Sequence, residues 1–125
     1  MSIIANLLVA AVALLHGYIL VLEMFLWTTP TGLRAFGQTL EQAKASAVLA
    51  ANQGLYNGFL GDGLVWGLLH PNPVFGFQAK VFFLLCVIVA GLYGGYSANP
   101  RIVFIQALPA AIALVFVWLA RPAAA

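Results

Sequence analysis

The sequence from residue 3 to residue 27 is IIANLLVAAVALLHGYILVLEMFLW, a continuous and mostly apolar run. Its strongly polar side chains are those of Asn6, His16 and Glu23. At ~1.5 Å per residue, a helix of this length crosses a hydrocarbon core of ~30 Å. No Lys or Arg precedes the run, and it outlasts the ~7–15 apolar residues typical of a signal peptide. The sequence therefore predicts a retained first transmembrane helix.

The composition of the whole chain indicates the same class of protein. Of its 125 residues, 64% are hydrophobic and 6% are charged, whereas soluble domains carry about 45–50% apolar and about 25% charged residues. A soluble fold of this composition would expose apolar patches that drive association. The net charge of +2 comes from five Lys or Arg and three Asp or Glu, which is too sparse for a nucleic-acid surface. We predict an integral membrane protein that binds no nucleic acid.

Three further apolar stretches complete the predicted fold. It is an all-α polytopic membrane protein, a bundle of four transmembrane helices that forms one domain over residues 1–125. The predicted spans are about 3–27, 45–69, 74–96 and 102–120. Between them, prolines and glycines end the apolar segments, as in Thr28-Thr29-Pro30-Thr31-Gly32. Pro109 lies inside the fourth span and predicts a kink, which neighbouring helices can accommodate.

The second predicted helix has a clear start. Thr39-Leu40-Glu41-Gln42 fits a capping box, in which the Thr39 hydroxyl and the Gln42 amide satisfy free backbone donors of the first turn. A helix from there to Leu69 is about 46 Å long at ~1.5 Å per residue, which is more than one crossing needs. Its first turns, with Glu41 and Lys44, are therefore expected in the head-group region.

Charged residues near the ends of the spans set the expected orientation. Arg34, Lys44 and Arg101 lie on the side of the first and third connections, against Lys80 and Arg121 on the other side. Cytoplasmic loops of membrane proteins carry an excess of Lys and Arg. Three against two favours a multi-pass protein with both termini outside.

Three pairs of glycines are spaced four residues apart, which lets membrane helices approach until their backbones touch. The pairs are Gly54 with Gly58, Gly63 with Gly67, and Gly91 with Gly95. Three such pairs on two helices exceed what one intramolecular crossing requires. We therefore expect a homo-oligomer with the second or third helix at its interface.

Polar side chains from all four helices are predicted at similar depth in one half of the bilayer, when residues are counted from the middle of each span. The candidate catalytic residues are Glu23 and His16, which share one helix face two turns apart. The candidate substrate-binding residues are Asn52, Gln53, Tyr56, Asn57, Tyr93 and Gln106. We expect Glu23, Asn52 and Gln106 to line one interior volume.

Two interpretations of this polar layer stay open. An ionisable side chain in hydrocarbon costs about 2.5–3.5 kcal/mol, so it must face the interior and find a partner. A ligand pocket would explain why a costly acid is present, because intramembrane ionisable groups mark functional sites by default. A buried hydrogen-bonded network that holds the bundle together would explain the amides, at about 0.6 kcal/mol per contact.

Other side chains narrow the possible chemistry. Cys86 is the single cysteine, which excludes an intramolecular disulfide and a multi-thiolate metal site. The two histidines, His16 and His70, lie far apart in the sequence and at different predicted depths, so no metal site is expected. Asp62 and His70, near the other end of the second helix, are interpreted as structural, since a cation is favourable at a helix C-terminus.

A family resemblance is carried by motifs along nearly the whole chain. In order they are His16, Glu23-Met24-Phe25-x-Trp27-Thr28, Ala51-Asn52-Gln53-Gly54-x-Tyr56-Asn57-Gly58-Phe59-Leu60, Phe77-Gln78 and Gly91-Leu92-Tyr93-Gly94. With these motifs the sequence resembles the DUF1304 family of small bacterial membrane proteins. The resemblance implies a compact four-helix protein of the bacterial inner membrane. It implies no activity, because the family is named for lacking an assigned one.

A second, more distant similarity is to styrene oxide isomerase, a small membrane enzyme that holds haem between the subunits of a trimer. The shared features are the chain size, four spans and a glycine shortly before Asn57-Gly58. This resemblance would imply a haem cofactor. The haem-ligating histidine of that enzyme, however, has no counterpart at the start of Asn52-Gln53-Gly54. The cofactor is therefore left unknown.

Three functions fit these features. The first is a binding protein or enzyme that uses Glu23 as an acid or base on a small apolar or lipid-like molecule. Isomerisation fits it better than hydrolysis, since no nucleophile stands beside a base. The second is an oligomeric transporter or proton-pathway subunit. The third is a structural accessory subunit of a membrane complex, whose polar layer is dry and filled by side chains. The expected partners are membrane lipids, a small apolar ligand and further copies of the chain.

Overall fold

The computed structural model describes residues 2–123, which fold into helices joined by short connections. The helices are α1 (Ser2–Met24), α2 (Pro30–Phe36), α3 (Leu40–Leu69), α4 (Pro73–Ser97) and α5 (Leu108–Leu119), with a π-helical segment (Val103–Ala107) directly before α5. The predicted all-α class is confirmed. The short helix α2 is an addition to the prediction, which had a connection without helix there.

Two helices of the described chain, α1 and α4, are long and apolar enough to cross a membrane. Val103–Leu119 is a shorter apolar helix. The longest helix, α3, includes Glu41, Lys44 and Asp62 and is less apolar than the others. These helices suggest a membrane protein, and the four-span arrangement stays a prediction.

The described chain divides into two compact units. The first contains residues 2–13 and 62–123, and the second is Leu14–Gly61. The divisions fall inside α1 and α3, so each of these two helices contributes residues to both units.

In the first unit, α4 packs closely on the π-helical segment and on the C-terminal part of α3. A Cβ atom placed on Gly91 would lie 2.6 Å from the backbone nitrogen of Ala107. On α3, a Cβ atom on Gly63 would lie closer to the Phe83 ring than van der Waals contact allows. A side chain at either glycine would force its neighbour to shift. The buried apolar residues of this unit are Ala5, Val9, Val12, Ala13, Leu64, Phe77, Ala79, Leu84, Val87, Ala107, Ala110, Ala113 and Val117.

The π-helical segment shows how the last helix accommodates Pro109. Proline has no N–H, and its ring clashes with the carbonyl four residues earlier, which here is that of Ile105. The N–H of Leu108 donates to the carbonyl of Val103, five residues earlier, whereas an α-helix uses the residue four earlier. The interruption that Pro109 predicts therefore takes the form of a wider helical turn just before it.

In the second unit, α1 ends at Met24, before the predicted end of the first span at Trp27. Thr29 then caps α2, because the N–H of Gly32 donates to Thr29 Oγ1 at 3.4 Å. Pro30 occupies the first turn of α2, where its missing N–H leaves no hydrogen bond unmade. The proline that was expected to stop one helix therefore also starts the next.

The capping box at the start of α3 is confirmed. The N–H of Thr39 donates to Gln42 Oε1 at 2.9 Å, and the N–H of Gln42 donates to Thr39 Oγ1 at 3.2 Å. Nearby, Trp27 Nε1 donates to Ser46 Oγ at 3.2 Å. The Trp27 ring also packs on that of Phe36, with 4.7 Å between centroids. These contacts tie the connection after α1 to the start of α3.

Each predicted glycine pair meets a neighbour inside the chain. Gly54 and Gly58 contact α1, Gly63 and Gly67 contact α4, and Gly91 and Gly95 contact the π-helical segment. The expectation of a homo-oligomer rested on pairs left over after one intramolecular crossing. Because the three pairs serve three separate crossings, the oligomer stays a prediction without support from the glycines.

Candidate functional site

The candidate site lies in the second unit, on the face of α3 that meets the end of α1. Buried residues recur along α3 at helical spacing, at Ala43, Ala50, Gly54, Asn57 and Gly61. Residues three and four apart share a helix face. Gly54, Asn57 and Gly58 therefore face α1 together.

Two glycines let α1 come close to this face. A Cβ atom on Gly54 would lie 2.7 Å from Met24 Cγ and 3.0 Å from Glu23 Cβ, and one on Gly58 would lie 2.5 Å from Leu20 Cδ1. A larger side chain at Gly54 would press on Glu23 Cβ and on the backbone of α1, whereas one at Gly58 would displace the flexible end of the Leu20 side chain. The close approach brings the side chain of Glu23 to α3.

The centre of the site is a hydrogen bond between Glu23 and Asn57. Nδ2 of Asn57 donates to Oε1 of Glu23 at 2.5 Å. Both residues are buried, with 3% of Glu23 and 7% of Asn57 exposed. Removing either partner would leave the other buried group unsatisfied, which costs more than the bond itself contributes. The structure thus joins two of the candidate residues across two helices.

Asn52, which was expected beside Glu23 from its depth, points elsewhere. Its Nδ2 donates to the carbonyl of Val48 at 2.9 Å, and the residue is exposed. Asn52 lies five residues before Asn57, a rotation that places it ~140° away around the helix at ~100° per residue. The helix face, and not the depth alone, decides which amide reaches Glu23.

The remaining substrate-binding candidates lie outside this pair. Gln53 and Tyr56 are exposed on α3, where the ring of Tyr56 lies 6.1 Å from that of Phe59. Tyr93 and Gln106 belong to the first unit. Tyr93 is 69% exposed on α4, and Gln106 is half-buried in the π-helical segment.

His16, the second catalytic candidate, is fully buried in the second unit. It precedes Glu23 by two helical turns on the same side of α1, a separation of ~10.5 Å along the axis. This separation is too long for a hydrogen bond between the two residues. His16 and Glu23 therefore lie at different levels along α1 and do not form one hydrogen-bonded pair.

The pair has a defined chemical capacity. The Glu23 carboxyl can give a proton to a neighbouring polar group or take one from it, which is the role of a general acid or base. The amide of Asn57 has both donors and an acceptor, so it can orient such a group. These capacities suit proton transfer within a small molecule.

A second polar contact, which was not predicted from the sequence, joins Asn6 and Lys80 in the first unit. Nζ of Lys80 donates to Oδ1 of Asn6 at 3.2 Å. The signal was present in the sequence, since Lys80 is the one ionisable cation inside the apolar stretch of α4. A cation in such a stretch needs a partner for the same reason as Glu23 does.

The fold and the site together define a small all-α protein of apolar helices, with a buried carboxyl–amide pair between two of them. The family model described as "Protein of unknown function (DUF1304)" matches residues 10–118, and the chain belongs to this family. One relative is the Uncharacterized protein YpaA of Lactococcus lactis subsp. lactis (strain IL1403), 33% identical over 119 residues that cover 92% of this chain and 97% of that protein. The resemblance to this family is confirmed, whereas similarity to styrene oxide isomerase is not shown. No solved structure matches the chain.

Proposed function

We propose that the protein is an integral membrane protein of the bacterial inner membrane, in which α1, α3, α4 and Val103–Leu119 each cross the bilayer. We further propose that it binds a small apolar or lipid-like molecule beside the Glu23–Asn57 pair, and that isomerisation is the chemistry the pair suits best. The observation that carries the proposal is the buried Glu23 carboxyl in the last turn of the apolar helix α1, bonded to Asn57 of α3.

Exposed apolar surface supports the membrane location. In the most apolar parts of α1 and α4, 22% and 33% of the residues are buried, whereas a core helix of a soluble protein is mostly buried. Several large apolar side chains are 60% or more exposed, among them Leu7, Leu14, Val48, Phe82 and Val89. In water such a surface drives association, but in a bilayer it faces lipid tails that are equally apolar.

The positions of the charged side chains support the same location. Charges in the connections or near helix ends are those of Arg34, Glu41, Lys44, Arg101 and Arg121. Glu23, in the last turn of α1, and Lys80, two turns into α4, have hydrogen-bond partners. Asp62 is exposed two turns before the end of α3. Membrane proteins distribute charge in this way because an ionisable group in hydrocarbon needs a partner, whereas the head-group region solvates the rest.

The choice of an acid at position 23 supports a chemical role. A network made for packing alone can be built from amides, and a carboxylic acid is a costly member of it in hydrocarbon. Glu23 can exchange a proton with a bound molecule while Asn57 orients the reacting group. Tyr56 and Phe59, which flank Asn57 in the chain and are exposed, offer an apolar aromatic surface to such a molecule.

A second candidate function is structural, with the pair locking α1 to α3 in an accessory subunit. The observation in its favour is that the site is closed. Asn57 already occupies one oxygen of the Glu23 carboxyl, and Gly54 packs against the Glu23 Cβ atom. In this case no proton is transferred, and an amide at position 23 would serve equally well.

Two substitutions of Glu23 separate these functions. Glu23→Gln keeps the shape and an oxygen acceptor for Asn57 but cannot exchange a proton. Glu23→Leu removes the acceptor and leaves Asn57 unsatisfied. Glu41→Gln, which removes an exposed acid from the first turn of α3, is the matched control.

The measurement is the set of apolar molecules that co-purify with each variant, identified by mass spectrometry, together with thermal stability. We expect Glu41→Gln to match the parent. Glu23→Gln should fold with near-parent stability and lose the bound molecule or its conversion, whereas Glu23→Leu should lose stability as well. Full retention and conversion in Glu23→Gln would instead leave the structural lock as the function.

A further inference from the structure

A second polar site lies in the first unit, around a cavity of about 400 Å³. Small-molecule sites have volumes of about 300–1,000 Å³. The walls come from the starts of α1 and α4 and from the ends of α3 and α5. All described lining residues belong to the first unit. The cavity is therefore distinct from the Glu23–Asn57 pair.

Lys80 supplies the charge of this cavity. Among the described lining residues it is the one Lys, Arg, Asp or Glu, and its Nζ donates to Asn6 Oδ1 at 3.2 Å. Its aliphatic stem lies on Gly67, where a Cβ atom would come within 2.8 Å of Lys80 Cγ. The bare backbone of Gly67 and the bond to Asn6 together hold the ammonium group at the cavity.

The polar side chains around Lys80 present hydrogen-bond donors. The ammonium group has three N–H donors and no acceptor, so Asn6 must turn its oxygen to Lys80 and its NH₂ group elsewhere. Nδ1 of His70 accepts from the backbone N–H of Asn72 at 3.0 Å. The proton of a neutral His70 ring is therefore on Nε2, which is a donor. Donors beside one positive charge, with no lining acid among the described residues, select an oxyanion.

Apart from Ser2, the remaining lining residues are apolar or glycine. They include Ala5, Leu68, Phe77 and Val117. Lys80 lies seven residues after Pro73, the first residue of α4, and so ~10 Å along the helix at ~1.5 Å per residue. A lysine at this depth can extend its stem along apolar surface and keep its charged end near the head-group level. A small inorganic ion would leave the apolar wall uncovered.

We propose that this cavity binds the anionic head of an amphiphile, a phosphate or carboxylate group joined to an acyl chain. The oxyanion lies at Lys80 and Asn6, and the chain lies along Phe77 and Val117. This site does not depend on the function proposed for Glu23.

The test is lipid retention by the full chain in mixed micelles, followed by native mass spectrometry. The probes are phosphatidylglycerol and phosphatidylcholine with identical acyl chains, which differ in net charge. Lys80→Gln removes the cavity charge and Lys80→Arg keeps it. Lys44→Gln, at an exposed position in the first turns of α3, removes one positive charge elsewhere and is the matched control.

We expect the parent, Lys80→Arg and Lys44→Gln to prefer phosphatidylglycerol. Lys80→Gln should bind it about tenfold to a hundredfold more weakly, because a hydrogen bond to a charged group contributes about 1.5–3 kcal/mol and 1.4 kcal/mol is a factor of ten. Equal affinity in Lys80→Gln and the parent would overturn the proposal. So would equal retention of the two lipids by the parent.

Two additions make the outcome decisive. Inorganic phosphate in the same experiment distinguishes the sources of the anion, since displacement of the lipid by an equal concentration of phosphate would assign the site to a soluble ion and overturn the lipid assignment. Asn6→Asp keeps an acceptor for Lys80 and adds a negative charge, so it should lower phosphatidylglycerol affinity even if Lys80→Gln does not fold. Unchanged affinity in Asn6→Asp would count against the site.

Discussion

The hydrogen bond between Glu23 and Asn57 predicts an energetic coupling between α1 and α3. The perturbation is a double-mutant cycle with Glu23→Leu, Asn57→Leu and the double variant. Each single variant leaves one buried polar group without its partner, which costs about 1–3 kcal/mol. The double variant removes both polar groups, and replacement of a whole pair by apolar groups of similar shape is close to neutral.

The structure sets the size of the expected coupling. The two atoms lie 2.5 Å apart, and the residues are 3% and 7% exposed, so a group that loses its partner has little access to a substitute. Interhelical hydrogen bonds in membranes average about 0.6 kcal/mol and reach about 1.7 kcal/mol. We expect the double variant to be about 2 kcal/mol more stable than the sum of the two single effects predicts, which is the low end of the range for two unsatisfied groups and the upper end of that for interhelical bonds in membranes.

The assay is equilibrium unfolding in detergent micelles, followed by tryptophan fluorescence, because Trp27 lies in the same unit as the pair. The control is a second cycle that pairs Glu23→Leu with Gln53→Leu, an exposed position on the same helix. Its coupling should stay within about 0.5 kcal/mol of zero. Strictly additive effects of Glu23→Leu and Asn57→Leu, or an equal coupling between Glu23→Leu and Gln53→Leu, would show that the hydrogen bond between Glu23 and Asn57 does not couple α1 to α3.

Helix packing and capping give two further expectations, both measured by the same unfolding titration. Gly91→Ala places a methyl group 2.6 Å from the backbone nitrogen of Ala107 and should lower the free energy of unfolding by about 1–3 kcal/mol. Gly17→Ala, where nothing lies within 4 Å, should raise it by about 0.5–1 kcal/mol, and equal effects of the two substitutions would contradict the packing. Thr39→Ala removes the oxygen that caps α3 and should cost about 1 kcal/mol, of which Thr39→Ser restores most; equal stability of the Ala and Ser variants would contradict this role.

Local signals in the sequence were sufficient for some helix boundaries. The capping box predicted the start of α3, and the helix was expected to end at Leu69, where α3 does end. Helix α2 needed more than local information, because Thr29 and Pro30 can stop one helix or start another. A close contact favours the second, since a Cβ atom on Gly32 would clash with the carbonyl oxygen of Leu26.

The site was predictable in its residue types and less so in its pairing. Glu23 was identified because an acid is costly in an apolar helix, and Asn57 because it lies at the centre of the second predicted span. The expected depth in the bilayer placed Asn52 beside Glu23. In the structure, the buried small residues of α3 lie on the same helix face as Asn57, and this face meets α1. The spacing of these small residues was present in the sequence and is the signal that could have corrected the pairing.

The glycine pairs show a second limit of sequence patterns. Two small residues spaced four positions apart predict that another helix approaches closely. The spacing does not say which helix approaches, because that depends on the topology of the whole chain. In the structure, Gly54 and Gly58 admit α1, and Gly91 and Gly95 admit the π-helical segment, so a pattern that suggested further copies of the chain is explained by contacts within one copy.

Side-specific cysteine labelling tests whether the chain crosses the bilayer four times. Cys86, the single native cysteine, is replaced by Ser, and single cysteines are placed at exposed positions of the three connections by Ala35→Cys, Pro71→Cys and Ala98→Cys. In sealed spheroplasts, an impermeant maleimide should label the Pro71→Cys variant and should reach the other two after the membrane is opened. Labelling of all three variants from one side of a sealed membrane, or recovery of the chain in the soluble fraction, would rule out four crossings.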